Sequence, residues 1–194
     1  MTSTARHIPA SPTGVTTPTL GSDWGIPVLR TERFVMRGYR PEDIASFATF
    51  YASDRSRFVG GPMTAELACR VAMTYAGHWM LRGYGRWMVE DAQTGKTLGN
   101  VGLWYPDGWP EPEIGWTLFD GAEGHGVAYE TAQAARAFAY DTLGWTTSIS
   151  LIAPGNEPSR RLADRLGATR DGAFTHERYG EMQVWRHPGP EALA

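Results

Sequence analysis

Apolar residues recur at helical spacing in some stretches of this chain and in strand-length runs in others, and the alternation of the two predicts its architecture. Regular structure is expected to begin at Leu29, and Arg33-Phe34-Val35-Met36-Arg37 predicts a first strand. Pro41 suits the first turn of a helix, where its missing N–H would have no partner, and Glu42 and Asp43 favour the positive end of the helix dipole. Ile44, Phe47, Ala48 and Tyr51 then fall at i, i+3, i+4 and i+7, which gives that helix one buried stripe. Gly60-Gly61-Pro62 breaks the chain. Thr64 is placed to cap a second helix, whose Ala68, Val71, Ala72, Tyr75 and Trp79 share a face.

Trp87 to Glu90 and Leu98 to Tyr105 read as strands joined through residues 91–96, with Gly95 where a positive φ is useful. Glu113 to Leu118 alternates, with Ile114, Trp116 and Leu118 on one face and Glu113, Gly115 and Thr117 on the other. A glycine-rich turn at residues 120–126 leads straight into a long helix carrying Ala128, Ala132, Ala135, Ala139 and Leu143 and closed by Gly144. The small residues on that helix suit close packing against a sheet. Ser148 to Ile152 is a further strand. Residues 154–159 turn into a short helix that ends at Leu166 and Gly167, and Thr169 to Phe174 and Glu181 to Trp185 are the last strands. The order β-α-α-β-β-β-α-β-α-β-β, without an internal repeat, predicts a single α/β domain. Residues 1–27 are rich in Ser, Thr, Pro and Gly and are expected to form a flexible extension, with Trp24 and Ile26 able to dock onto the body. The domain proper is expected over residues 28–187, with a tail at 188–194.

Composition narrows the classes. A length of 194 residues allows one domain with a proper core. No apolar run approaches the roughly 20 residues that a membrane-spanning helix needs. The first residues lack the cationic and apolar blocks of a secretory signal, so a cytoplasmic location is expected. Cys69 is the only cysteine, which rules out an internal disulfide or a zinc site built from several thiolates, and no metal is expected. The formal net charge of -3 argues against a partner held mainly through nucleic-acid phosphates. Arg30, Arg33, Arg37 and Arg40 lie close in sequence and read either as a solvated strand edge or as a local basic patch.

The most informative stretch is Glu123-Gly124-His125-Gly126-Val127-Ala128, between a strand and a long helix. The first amides of a helix lack carbonyl partners, and the aligned peptide dipoles make that end electropositive. Glycines admit an anion to those N–H groups and permit the φ values that a tight nest needs. A diphosphate is therefore a natural ligand, although strand-glycine-helix turns also serve as plain connections. The spacing is neither that of a P-loop nor that of a dinucleotide-binding turn after a first strand.

This turn resembles the acyl-CoA signature of the GNAT superfamily of N-acetyltransferases, Arg/Gln-x-x-Gly-x-Gly/Ala opening a helix. It falls on Glu123, Gly124, His125, Gly126, Val127 and Ala128, with Glu123 departing from the usual first residue. Leu29 to Arg33 followed by Phe34 to Arg37 is similar to the opening strand of the branch that includes ribosomal-protein N-terminal acetyltransferases. Glu113-Ile114-Gly115-Trp116 is similar to that branch's fourth strand. Pro154, Asn156, Ser159, Leu162, Leu166 and Gly167 match its segment after the fifth. The similarity covers roughly residues 28–187.

The resemblance implies a mixed, mostly antiparallel sheet flanked by helices and splayed between its fourth and fifth strands. It also implies acetyl-CoA as acyl donor and an amine as acceptor, either a peptide N-terminus or a small molecule. Trp116, Thr117 and Leu118 would bind the pantetheine arm and offer an N–H to the thioester oxygen. Glu123 would face away from the ligand or take a backbone amide, and Asn156 would hold a pantetheine amide. Glu113 is the favoured base, with His176 and Glu177 as rivals. Ala163 stands where many relatives carry a tyrosine acid, which leaves Ser159 to hydrogen-bond the sulfur or to cap the short helix. His78, Trp79, Tyr84 and Trp87 are expected to shape the acceptor site. A catalytically silent CoA-binding module is the alternative function, and either a monomer or a homodimer is allowed.

Overall fold

The computed structural model describes residues 25–193. Its strands are β1 (Leu29–Arg30), β2 (Phe34–Arg37), β3 (Arg86–Asp91), β4 (Thr97–Trp104), β5 (Glu113–Leu118), β6 (Ile149–Ile152), β7 (Thr169–His176) and β8 (Gly180–Arg186). They form one sheet in the order β1-β2-β3-β4-β5-β6-β8-β7. Every neighbouring pair is antiparallel except β5 with β6. The helices are α1 (Asp43–Tyr51), α2 (Ala65–Arg82), α3 (Val127–Ala137) and α4 (Glu157–Arg165). The mixed, mostly antiparallel sheet is the one expected, and the splayed pair of strands is β5 and β6.

The expected first strand is in fact two. Thr31 donates its N–H to the Phe34 carbonyl, and its Oγ1 accepts from the Phe34 N–H, so Leu29–Arg30 folds back onto Val35 and Met36. Ile26 is buried in the main core, and the Pro27 carbonyl accepts from Trp87 Nε1 at 2.7 Å. The packed body thus reaches back into the segment expected to be an extension, while Trp24 lies outside the described residues. At the other end Tyr140 donates its hydroxyl to the Pro188 carbonyl, which ties the start of the expected tail to the domain.

Each face of the sheet carries its own core. On one side Phe47, Phe50 and Tyr51 of α1 and Ala68 and Ala72 of α2 close over Met88 and Phe119. On the other, Val127, Ala132, Ala135 and Ala139 lie against Val89, Val101, Leu103 and Ile114. The small side chains let α3 approach the strands closely, as the sequence predicts. Its α-geometry ends at Ala137 and widens into a π-helical turn over Phe138–Thr142 before Gly144 stops it with φ of 72°. Thr64 caps α2 by accepting from the Leu67 N–H. Between α1 and α2 the segment Asp54–Phe58 winds into a 3-10 helix that no periodicity announces. Gly61 lies directly against it. A Cβ at Gly61 would fall 2.0 Å from Ser56 Oγ, so no larger residue fits.

The buried stripe of α1 is shifted from the expected one, because Asp43 is buried and Ile44 is only half-buried. The cause is Arg37, which neither forms a basic patch nor lies on a solvated edge. Its guanidinium meets Asp43 through two hydrogen bonds of 2.8 and 2.9 Å, Glu90 at 2.7 Å and the Gly38 carbonyl at 2.8 Å. Asp43 also accepts from the Arg40 N–H at 2.7 Å, so one carboxylate fastens β2 to the start of α1. Removing one partner of a buried ion pair leaves the other charge without compensation. Asp43→Ala is expected to cost about 3 kcal/mol of unfolding free energy, measured by urea denaturation. A loss near zero would mean that Glu90 alone suffices.

Candidate active site

The sheet is joined across β5 and β6 at one register position, Glu113 opposite Ile149. Around it the Ile149 N–H donates to the Pro112 carbonyl, and Ser150 Oγ donates to the Ile114 carbonyl at 2.6 Å. Beyond this point the strands part. Backbone groups of a strand face its two neighbours alternately, so Trp116 and Leu118 present theirs to the same edge as Ile114, away from β4. Arg55 Nη2 occupies the Leu118 carbonyl at 3.3 Å. The peptide groups of Trp116 face the opening.

The opening is a cleft of about 420 Å³. Trp116, Thr117 and Leu118 line it from β5, Glu123, Gly124 and Gly126 from the glycine turn, Val127 and Ala128 from the start of α3, and Asn156 and Ser159 from the approach to α4. Gly124 and Gly126 have φ of 80° and 77°, and Gly126 is the N-cap of α3. Asn156, not Ser159, caps α4, through an Oδ1 that accepts from the Ser159 N–H at 3.3 Å. Ser159 Oγ accepts from Trp116 Nε1 at 3.1 Å. An indole nitrogen can only donate, so the Ser159 proton remains free to point into the cleft. Thr117 Oγ1 is buried with no partner among the described residues.

Two arginines from other segments hold the turn. Arg33 pairs with Glu130 at 2.8 Å and donates to the His125 carbonyl at 2.9 Å. His125 is therefore a clamp point behind the turn, and it does not line the cleft. Glu123 neither faces away nor takes a backbone amide. It lines the cleft paired with Arg55, which also meets Asp120 at 2.9 Å. The negative charge that breaks the signature is thus neutralised by a cation from the 3-10 helix.

Glu113 lies on the opposite face of β5 from Trp116, in a cavity of about 140 Å³. Tyr75, Arg86, Trp104, Trp109 and Tyr179 line this cavity, and it shares Phe58 and Val59 with the cleft. Trp109 Nε1 donates to Glu113 Oε2 at 2.7 Å, and Arg86 Nη2 is 3.9 Å from Oε1. Burial pushes the Glu113 carboxyl above its ordinary range, although the Arg86 charge, the Trp109 hydrogen bond and the Leu151 backbone pull the other way. The loop that delivers Trp109 is anchored by Glu111, which receives two hydrogen bonds from Arg186 at 2.7 and 2.8 Å. A buried carboxyl and a glycine turn opening a helix thus lie on the two sides of one parted strand.

The sequence pattern of the acetyltransferase (GNAT) domain matches residues 33–169. The chain belongs to the GNAT acetyltransferase family. It is 24% identical over 157 residues, 79% of this chain and 89% of the relative, to the uncharacterised N-acetyltransferase YoaA of Bacillus subtilis. Among solved structures, an acetyltransferase from Agrobacterium tumefaciens shares 35% identity with a TM-score of 0.77, over 84% of this chain and 94% of that one. The fold also recurs in the ribosomal L7/L12 α-N-protein acetyltransferase RimL, solved in complex with coenzyme A, at 12% identity and a TM-score of 0.68 over 84% and 98% of the two chains. This GNAT protein is accordingly an acyltransferase, of a family whose fold uses acetyl-CoA, and ribosomal-protein acetyltransferases stand among its structural neighbours.

In this acetyltransferase the four aromatic positions expected around the acceptor do not line the cavity. Trp87 is fully buried, with Trp79 packed edge-on at 4.7 Å, and Trp79 Nε1 donates to the Arg86 carbonyl. Tyr84 packs against Trp145. His78 is held between the Tyr84 carbonyl and the Tyr105 N–H, and burial lowers its pKa. Large aromatic groups that can satisfy their polar atoms internally go to the core. The rival base Glu177 is exposed in the β7–β8 turn, and His176 packs at a tilt against Trp109, ring centroids 5.2 Å apart, outside the cavity lining. Ala163 is fully buried, so the position of the tyrosine acid is closed.

Sequence reasoning missed Tyr75, Arg86, Trp104, Trp109 and Tyr179 at the cavity and Arg55 at the cleft. Arg86 carried a signal, an arginine in register with core positions of a buried strand. The two glycines of the acetyltransferase turn differ in a testable way. A Cβ at Gly124 meets nothing within 4 Å, whereas one at Gly126 would fall 2.9 Å from Arg33 Nη2. Gly124→Ala is expected to cost about 1 kcal/mol of left-handed strain, and Gly126→Ala roughly twice that by displacing the clamp. Equal losses in urea denaturation would remove the clamp from the account.

Proposed function

We propose that this protein transfers the acetyl group of acetyl-CoA to a primary amine, a peptide N-terminus or a small amine, by direct attack while both are bound. The observation that carries the reading is the buried carboxyl of Glu113, with its raised pKa, in the cavity that adjoins the cleft where the strands part.

The residues of the cleft suit the coenzyme. Open amides at the start of α3, bare glycines at 124 and 126, and Arg57 and Arg165 on the lining together favour phosphate. The unpartnered Thr117 Oγ1 and the side-chain amide of Asn156 suit the polar groups of an extended arm. When bound, acetyl-CoA supplies an acetyl group activated as a thioester.

Glu113 accepts one proton from the acceptor ammonium, and its raised pKa makes it a stronger base than an exposed carboxylate. The N–H of Trp116 is directed at the oxygen on which charge develops, and a preorganised backbone donor contributes about 3 kcal/mol. Ser159 turns its free proton toward the sulfur as the C–S bond breaks. The second proton lost by the nitrogen accompanies the thiolate, so the products are an acetamide, the free coenzyme thiol and one proton released through Glu113. With Ala163 in place of a phenol, the hydroxyl of Ser159 is the nearest donor that the proposal assigns to the sulfur.

Both CoA and acetyl-CoA are expected to raise the melting midpoint, with NADH leaving it unchanged, because only a ligand that binds the folded state shifts it. Absence of any shift with either thioester or thiol would sink the reading. Glu113→Gln is expected to lower kcat/KM about 100-fold or more while leaving CoA affinity unchanged. The acid limb of the wild-type rate profile should lie above the ordinary glutamate value of about 4.3, since activity is lost as pH falls through the raised pKa. An unaltered profile in the Gln variant would move the base to another residue.

A further inference from the structure

Arg86 is a guanidinium built into a slot. It enters from the first residue of β3, its side chain is only 8% exposed, and it lies 5.0 Å over the ring of Tyr75. Gly115 makes room for it, because a Cβ there would fall 2.0 Å from Arg86 Nη2. Among the described residues it forms no side-chain hydrogen bond. Its Nε is buried without a partner, and its single ion pair, to Glu113, is stretched to 3.9 Å. A buried guanidinium normally carries several hydrogen bonds, since desolvating it without them costs several kcal/mol. Arg86 instead lines the cavity that holds Glu113.

We infer that the acceptor is a free α-amino acid with an apolar or aromatic side chain, its carboxylate received by Arg86 and its ammonium by Glu113. The inference rests on the acetyl-transfer reading and names the substrate class of the same site. Two opposite charges 3.9 Å apart complement the opposite charges that an α-amino acid carries on one carbon. The guanidinium fork matches a carboxylate in two parallel hydrogen bonds. Trp104, Trp109 and Tyr179 give the remaining wall an aromatic character suited to an apolar side chain. A peptide N-terminus would bring a neutral amide carbonyl to the same place and leave the buried cation with the distant Glu113 as its one charged partner. The bond from nitrogen to the acetyl carbon forms and the C–S bond breaks. One ammonium proton leaves through Glu113 and the other accompanies the sulfur, giving an N-acetylamino acid and free thiol.

The test is release of coenzyme thiol from acetyl-CoA by the wild-type chain. The acceptors are phenylalanine, tryptophan, leucine and methionine, each compared with its amide and its decarboxylated amine, and short peptides with the same first residue. The acids should exceed the amides in kcat/KM by at least about tenfold, the value of a hydrogen-bonded charge pair. Arg86→Met should abolish that preference by raising KM for the acids alone, and Arg86→Lys should restore part of it. Melting and CoA binding of each variant report whether it is folded, and the wild-type comparison stands without them. Equal or better use of amides, amines or peptides overturns the inference and leaves acetyl transfer intact. Coenzyme binding with no amino acid acetylated overturns it as well. Failure of both CoA and acetyl-CoA to bind removes the underlying reading.

Discussion

The arrangement of this protein depends on one joint in the sheet, the parallel pairing of β5 and β6 at Glu113 and Ile149. Buried peptide groups need partners, and a strand that loses its neighbour in mid-sheet must find others. Ser150 Oγ takes the Ile114 carbonyl and Arg55 takes that of Leu118, which leaves the groups of Trp116 between them. An open strand edge is a template for an extended ligand, whose amides can add to it as a further strand would. The same joint brings Glu113 into the sheet interior, where burial raises its pKa. The cleft and the buried carboxyl are two consequences of one parting of strands.

The end of the cleft at the start of α3 is held by residues that do not belong to the glycine turn. Arg33, in the turn before β2, clamps the His125 carbonyl and Glu130, and Arg55 on the 3-10 helix neutralises Glu123. The 3-10 helix is in turn fixed by Gly61 against Ser56. A departure from a sequence signature thus has its compensation about seventy residues away in the chain. That helix also supplies Phe58, which with Val59 forms the wall shared by cleft and cavity.

Much of the fold was legible because its signals are local. The alternation of Glu113 to Leu118, the Thr64 cap and the alanine face of α3 each depend on neighbours a few residues apart, and each is present. The cleft residues were legible for the same reason, since a glycine turn opening a helix is a contiguous feature. What failed depended on distant pairing. Asp43 displaced Ile44 from the stripe of α1 because Arg37 lies beneath it, and no periodicity encodes that. The aromatic residues near α2 were assigned to the acceptor by proximity in sequence, yet Trp79 and Trp87 satisfy their indole N–H groups on backbone carbonyls and belong to the core. The residues that do line the cavity come from the 3-10 helix, α2, β3, β4, β5, β6, β8 and the segments around Val59, Trp109 and Tyr179, and only the tertiary fold assembles them.

Comparison of the buried arginines separates structural cations from the remaining one. Arg37 is held by two carboxylates and a carbonyl, with only its Nε left without a partner. Arg136 donates to the Leu166 carbonyl at 2.7 Å and to His187 Nδ1 at 3.4 Å, and burial together with the Arg136 charge lowers the His187 pKa to about 3, so that its ring stays a neutral acceptor. In both cases the fold places partners around the cation, as buried polar groups require. Arg86 is as buried as either, and the fold gives it space, a ring face and one distant carboxylate, but no hydrogen bond among the described residues. Packing alone does not account for this, because an apolar side chain in the Gly115 slot would fill the volume without the desolvation cost. A local cost that the surrounding structure sustains, in the cavity that also holds Glu113, is the feature on which the proposed carboxylate site rests.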